Sequence, residues 1–201
     1  MTIRLWDLAA AEDDRRFSPY CWRVKMALRH KGIEAEEIPW RFSEKEAIAF
    51  SGQERVPVIA DGERALYDSW AIAEYLDEAY PDRPLLMGGD EARTLTYFAK
   101  HWVERNLHPP ILKAVVLDLY NLLHDRDRAY FRASREKRFG ATLEQYAADR
   151  NGALSALRGG LADPSARARR PGLRLARAGD GPVRRLRARG EGLPGMGLSR
   201  R

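Results

Sequence analysis

The 201 residues predict an α/β unit followed by an all-helical half. Three observations carry that assignment. Up to Tyr80 the hydropathy pattern runs strand, helix, strand, helix, hairpin, helix, the order of a split α/β unit. Asp82-Arg83-Pro84 through Gly88-Gly89 then breaks the pattern as a linker. From Asp90 onward the apolar spacing is helical, with no strand-like alternation.

Ile3-Arg4-Leu5-Trp6-Asp7-Leu8 alternates apolar and polar residues and predicts a first strand. Ala9 to Arg16 is a polar loop. Ser18-Pro19 then opens a helix to Arg29: Pro suits the first helical position because its missing N–H would be unpaired there. Gly32 closes this helix. Ala35 to Trp40 is the second strand candidate, and Ser43-Glu44-Lys45-Glu46 has the capping-box pattern of a short helix stopping near Gly52. Val56 to Ala60 and Glu63 to Tyr67 flank Asp61-Gly62, a strong hairpin signal. Pro57 inside the first of these runs argues against a regular central strand. A cis Val56-Pro57 bond accounts for it, presenting the Val56 backbone to a ligand; a trans proline at a strand start is the alternative. Asp68-Ser69 starts a helix through Leu76 to Tyr80, ended by Pro81.

In the second half, Asp90 to Leu107 predicts one helix, broken at Pro109-Pro110 and resuming from Ile111 to Leu123. Another follows from Asp127 to about Arg150. Trp102, Tyr120, Tyr130 and Phe131 are expected in its core. His101, His108 and His124 lie scattered rather than at ligand spacing, so no metal site is expected. The resulting divisions are 1–82, a linker at 83–89, a helical domain at 90–157 and a tail at 158–201.

The formal charge of +6 is unevenly placed. Residues 158–201 hold twelve Arg against Asp163, Asp180 and Glu191, a net of +9, which leaves −3 for residues 1–157. After Tyr146 there is no aromatic residue, so the arginines lack the stacking partners of a nucleic-acid arm, and no nucleic-acid partner is expected. The Gly- and Pro-containing tail reads as disordered, or as an out-of-frame translation of a GC-rich gene that replaces the last helices. No apolar run of about 18 residues predicts a membrane span. Met1 to Leu5 reads directly as a strand rather than a signal peptide, and the single cysteine, Cys21, allows no internal disulfide. A cytoplasmic protein without membrane contact is the expectation.

Ser18 sits where unpaired helix N–H groups converge, a corner that stabilises a thiolate of the protein or of a ligand. Taken alone, Ser18, like Asp68 or Ser69, is equally an ordinary N-cap. Ser18-Pro19-Tyr20-Cys21 resembles the Cys-Pro-Tyr-Cys of glutaredoxins with Ser replacing the first Cys. Val56-Pro57 resembles the cis-proline strand start of thioredoxin-like domains, and Asp68-Ser69 the acidic-Ser pair that holds the γ-glutamyl end of glutathione. Together they are similar to a glutathione S-transferase over about residues 1–155. Trp22-Arg23, His30-Lys31-Gly32, Asp68-Ser69-Trp70 and Glu74-Tyr75-Leu76-Asp77 resemble the bacterial β-aryl-etherase type.

The resemblance implies a thioredoxin-like domain followed by an α-helical transferase C-terminal domain, here incomplete. It implies glutathione as co-substrate, an electrophile such as an aryl ether as the other substrate, a role of the detoxification kind, and a homodimer. Ser18 would stabilise the glutathione thiolate. Val56 and Pro57 would meet the cysteinyl backbone, and Ser69 and Asp68 the γ-glutamyl carboxylate and amine. Arg41 or Lys45 matches the glycyl carboxylate by charge sign. Two alternatives accompany this reading. Cys21, as a low-pKa nucleophile, would make a glutathione-dependent reductase or lyase. A defective helical domain would leave an unstable or non-catalytic glutathione-binding protein.

Overall fold

The computed structural model describes residues 2–161. Strand β1 (Ile3–Leu8) lies beside β2 (Ala35–Trp40) and β3 (Val58–Asp61), with β4 (Arg64–Tyr67) at the edge, giving the order β2-β1-β3-β4. β1 and β2 are parallel, Ile3 opposite Ala35 through Leu8 opposite Trp40; β1–β3 and β3–β4 are antiparallel. The parallel pair needs a crossover, which α1 (Pro19–His30) supplies, whereas β3 and β4 are joined by the tight turn at Gly62, φ +60°.

Both faces of the sheet are covered. Ile3, Leu5 and Ile59 pack with Val24 and Leu28 of α1 and with Ile72 and Leu76 of α2 (Ser69–Ala79). Trp6, Leu8, Val58 and Trp40 pack on the other side with Ile48 of a 3-10 helix at Lys45–Ser51. Asp7, two residues on from Leu5 on the face that α1 covers, is buried beneath that helix. The buried carboxylate is tolerated because Lys25 and Arg16 reach it.

The capping box expected at Ser43 does not form. Glu44 instead accepts from Arg41 N at 2.9 Å, and Ser43 N donates to Asp127 Oδ1 at 2.8 Å, so this turn is fixed from outside rather than by its own box. A capping box does form at Thr142 with Gln145.

The helical half comprises α3 (Asp90–Asn106), α4 (His108–Leu122), α5 (Asp125–Phe139), α6 (Leu143–Ala147) and α7 (Arg150–Leu161). Pro109 and Pro110 fall in the first turn of α4, where their lack of N–H costs nothing; they start a helix rather than interrupt one. The single helix expected from Asp127 to about Arg150 is three pieces, because Gly140 takes the left-handed conformation, φ +66°, and ends α5. Helix α7 continues to Leu161, past the boundary at 157 drawn on composition; the remainder of the tail reading lies outside the described residues. Val116, Leu123, Phe131 and Leu143 form the core of this half, while Trp102 and Tyr130 are exposed, contrary to expectation. Their rings lie on helix faces that no other described element covers as fully as it covers Phe131.

The linker is docked onto the first half. Lys31 Nζ is buried and donates to Asp77 Oδ1 at 2.7 Å and to Pro84 O at 3.1 Å, and Asp77 also accepts from Leu86 N and Met87 N. Burial opposes the Asp77 charge, but these donors outweigh it and hold its carboxyl below the ordinary carboxylate range. A carboxylate with a depressed folded pKa contributes stability above its unfolded value of about 4 and loses it as pH falls through the folded value. Urea midpoints of the native protein should therefore fall more steeply below about pH 4 than those of Asp77→Asn, which lacks this contribution at every pH.

Candidate active site

Ser18 is the N-cap of α1, in extended conformation (φ −74°, ψ 119°), with Pro19 at the first helical position. Its Oγ accepts from Cys21 N at 3.3 Å. That bond uses a lone pair, so the hydroxyl hydrogen stays available to a ligand; among the described residues no acceptor takes it. The first turn of α1 carries no acidic residue, so the positive end of its dipole is not neutralised there. Ser18 is 6 % exposed, low enough for its hydrogen bonds to act in a weakly screened setting.

Cys21, one turn on, faces inward among Trp6, Trp40 and Val58 and is 0 % exposed. Burial pushes the thiol up to about 12, outweighing the lowering influence of its polar neighbours Ser18 and the Leu8 backbone, and the Asp7 carboxylate adds more weakly to the rise. At neutral pH it is a packed, protonated thiol and not a nucleophile.

The Val56–Pro57 peptide bond is cis. The β3 ladder begins at Val58, leaving the half-buried Val56 outside it. At the start of α2, Asp68 adopts φ +65°, which Asp tolerates better than most residues, and its Oδ1 accepts from Trp70 N at 2.8 Å and Ala71 N at 3.1 Å. Among the described residues its second oxygen makes no hydrogen bond. Ser69 is 2 % exposed, and its hydroxyl accepts from Arg23 Nη1 at 2.7 Å.

Arg23 and Glu104 are the residues that the sequence reading missed. Arg23 extends from α1 to Ser69, and its Nη2 donates to Glu104 Oε1 on α3 at 3.0 Å, so one guanidinium joins the first turns of the α/β half to the helical half. Burial disfavours the Glu104 charge, yet hydrogen bonds from Arg23 and Lys100 outweigh it and hold the carboxyl below its usual range. His108 also belongs here: its ring meets Tyr20 edge-on at 5.7 Å, and burial, reinforced by Arg23, lowers its pKa against the pull of Glu104, so it is neutral at pH 7. Arg23 stood in the motif itself, one turn past Pro19, and its face of the helix was the only available signal. Glu104 is 81 residues away, and nothing local marks it.

Arg41 and Lys45 are committed elsewhere. Arg41 donates to Ala10 O at 2.9 Å and Ala11 O at 3.0 Å and pairs with Asp13, which ties β2 to the loop before Ser18. Lys45 is exposed and pairs with Glu54 at 2.7 Å. Among the described residues no group of three or more His, Cys, Asp or Glu side chains is arranged to hold a metal ion, and no helix is long and apolar enough to cross a membrane.

A hydroxyl donor at a helix N-terminus, a peptide edge at Val56 and an anion-binding corner at Ser69 can together hold an extended, anionic thiol peptide with its sulfur at Ser18. A family model for the glutathione S-transferase N-terminal domain matches residues 14–84, and one for the C-terminal domain matches residues 94–172. A zeta-class glutathione S-transferase of Euphorbia esula is 31% identical over 93 residues, 44% of this chain and 41% of that protein. Glutathione S-transferase Z2 of Arabidopsis thaliana is 34% identical over 92 residues, 43% of this chain and 41% of that protein. The chain thus spans less than half the length of these curated relatives. A crystal structure of a glutathione transferase from Phanerochaete chrysosporium superposes with TM-score 0.73 at 28% identity, covering 81% of this chain and 70% of that one. One from Ceriporiopsis subvermispora in complex with glutathione gives 0.68 at 26% identity, covering 81% and 71%.

Proposed function

The chain belongs to the glutathione S-transferase superfamily, and on that premise we propose that it uses Ser18 to hold glutathione as a thiolate for attack on an electrophile. The observation that carries this reading is the Ser18 hydroxyl, capping α1 with its hydrogen unclaimed, beside a Cys21 that is buried and protonated. Glutathione lies along the Val56 edge, with its γ-glutamyl carboxylate at Ser69 and Arg23 and its amine toward the second oxygen of Asp68. The Ser18 hydroxyl donates to the sulfur, stabilising the charged form and lowering the thiol pKa. The thiolate sulfur then forms a C–S bond at the electrophilic carbon. In an aryl ether, the substrate class suggested by the β-aryl-etherase resemblance, the C–O bond breaks and the phenolate leaves with the electron pair, taking up a proton from solvent. Tyr20 and the neutral His108 offer an aromatic edge beside Ser18 for the aryl group. A homodimer completes the proposal, with exposed Leu95 and Phe98 of α3 as its apolar contacts.

Burial of Cys21 disfavours the reductase reading, and the match of the C-terminal family model across residues 94–172 disfavours an unstable or non-catalytic glutathione-binding protein with a defective helical domain. The test is conjugation of glutathione to a generic aromatic electrophile by the purified chain. Turnover, with KM for glutathione rising about tenfold in Arg23→Gln and kcat within about twofold, is the expected result, because lost ground-state binding raises KM alone. Absence of both binding and turnover by the native chain overturns the reading.

A further inference from the structure

Arg16, Phe17 and Ser18 deliver the chain from the polar loop into α1, and Trp22 grips both ends of that tripeptide. Its backbone N–H donates to Ser18 O at 3.0 Å, the ordinary bond of the first helical turn. Its indole Nε1–H reaches back past the helix start and donates to Arg16 O at 2.9 Å. Trp22 is 39 % exposed, so core burial does not account for a tryptophan here. Its N–H is spent on one carbonyl, and its ring lies over the Lys25 ammonium at 4.3 Å.

The loop behind the tripeptide is tied separately. Arg41 donates to Ala10 O and Ala11 O, Ala11 N donates to Leu122 O at 2.9 Å, and Arg16 pairs with Asp7. Phe17 packs against both the sheet core and the helical core. Of these ties the Trp22–Arg16 bond lies nearest to Ser18 and leaves from the same helical turn. Ser18 needs such support. Its Oγ accepts from Cys21 N at 3.3 Å, a long bond that fixes the hydroxyl only weakly. The direction of the hydroxyl therefore depends on how firmly the backbone of residues 16–18 is held.

We propose that Trp22 is a positioning residue for Ser18, bracketing Arg16 to Ser18 with one backbone and one indole hydrogen bond so that the hydroxyl meets the ligand sulfur at a productive angle. This rests on the reading of Ser18 as the donor to the glutathione sulfur. A hydrogen bond weakens steeply as it lengthens and bends, so loosening the bracket sacrifices part of the thiolate stabilisation while the ligand stays bound.

The experiment compares the full chain with Trp22→Phe, which keeps an aromatic face over Lys25 but lacks the indole N–H. Trp22→Leu, which lacks both, and Ser18→Ala are measured beside it. For each, kcat/KM for an aromatic electrophile at saturating glutathione is followed against pH, with Tm and Kd for glutathione alongside. Trp22→Phe should move the acid limb upward by about half a pH unit and lower the pH 7 value about two- to threefold. The profiles should converge above about pH 9, with Kd within about twofold. Trp22→Leu should show the same displacement at a lower Tm. In the Ser18→Ala background, Trp22→Phe should move the limb no further. A second readout needs no glutathione: exchange of the Cys21 amide, the donor to Ser18 Oγ, should be about threefold faster in Trp22→Phe. An unmoved limb in Trp22→Phe, or one displaced only in Trp22→Leu, makes Trp22 a structural residue and overturns the proposal. If Ser18→Ala leaves the limb in place although the amide exchange responds, the thiolate reading itself fails, and this role of Trp22 with it.

Discussion

Ser18→Ala should lower kcat/KM for glutathione conjugation at pH 7 by about 8- to 25-fold while Kd for glutathione changes by less than about fivefold. A hydrogen bond to a charged group contributes about 1.5–3 kcal/mol, which corresponds to one to two pKa units on the bound thiol. Without the donor the thiol returns toward its ordinary value of about 8.5, and only a few per cent is thiolate at pH 7. The loss is pH-dependent with a definite sign. The acid limb of the rate profile moves upward, so the two enzymes converge above about pH 9, where both thiols are ionised. Removing the cap for Cys21 N also costs about 1 kcal/mol of stability, so Tm is measured alongside. Cys21→Ala should leave kcat within about twofold and appear only as lost packing, because the thiol is buried and protonated. A Cys21 variant that abolishes activity in a folded protein would reverse the assignment.

Lys25→Met should cost about 3–5 kcal/mol, a large part of the roughly 5–15 kcal/mol that holds a domain folded. Lys25 is 4 % exposed and Asp7 is 0 % exposed. The ammonium lies 3.1 Å from Asp7 Oδ2 and 2.7 Å from Glu37 Oε2, while among the described residues Arg16 supplies the only other cation to Asp7, at 3.3 Å. Asp7 Oδ1 already has no hydrogen-bond partner. Deleting the lysine therefore leaves a carboxylate fully buried in the central strand with one weaker partner. Replacing both members with apolar residues removes the uncompensated charge, so Asp7→Leu/Lys25→Met should be more stable than Lys25→Met alone. Urea midpoints measure both variants, and simple additivity of the two substitutions would contradict the buried-pair account.

The α/β half was legible because its signals are local. Ser18-Pro19, Asp61-Gly62 and Asp68-Ser69 each fix a turn or cap through their own backbone chemistry, and the structure places α1, the hairpin and α2 where those residues put them. The helical half was read less well, because proline has two meanings. Pro109-Pro110 break a helix in its interior but start one in its first turn, and only the position of Leu107 as the preceding cap decides between them. Gly140 inside a long periodic stretch carries the same ambiguity. Asp7 and Arg41 were misjudged for a different reason. One is a charge hidden by cations from other elements, the other a cation spent on loop carbonyls, and neither arrangement leaves a pattern in its own neighbourhood. At the candidate site, the residues on the α/β half came from motif spacing, whereas Glu104 depends on how the helical half is laid against it.

The central claim is that Ser18 holds the glutathione sulfur as a thiolate. Its most direct test is a pH titration of the thiolate ultraviolet absorbance of bound glutathione, in the native chain and in Ser18→Ala at matched occupancy. The native complex should titrate at least about one unit below the ordinary thiol value of about 8.5, and the variant close to it. Identical titrations of the two complexes, both bound, would contradict it.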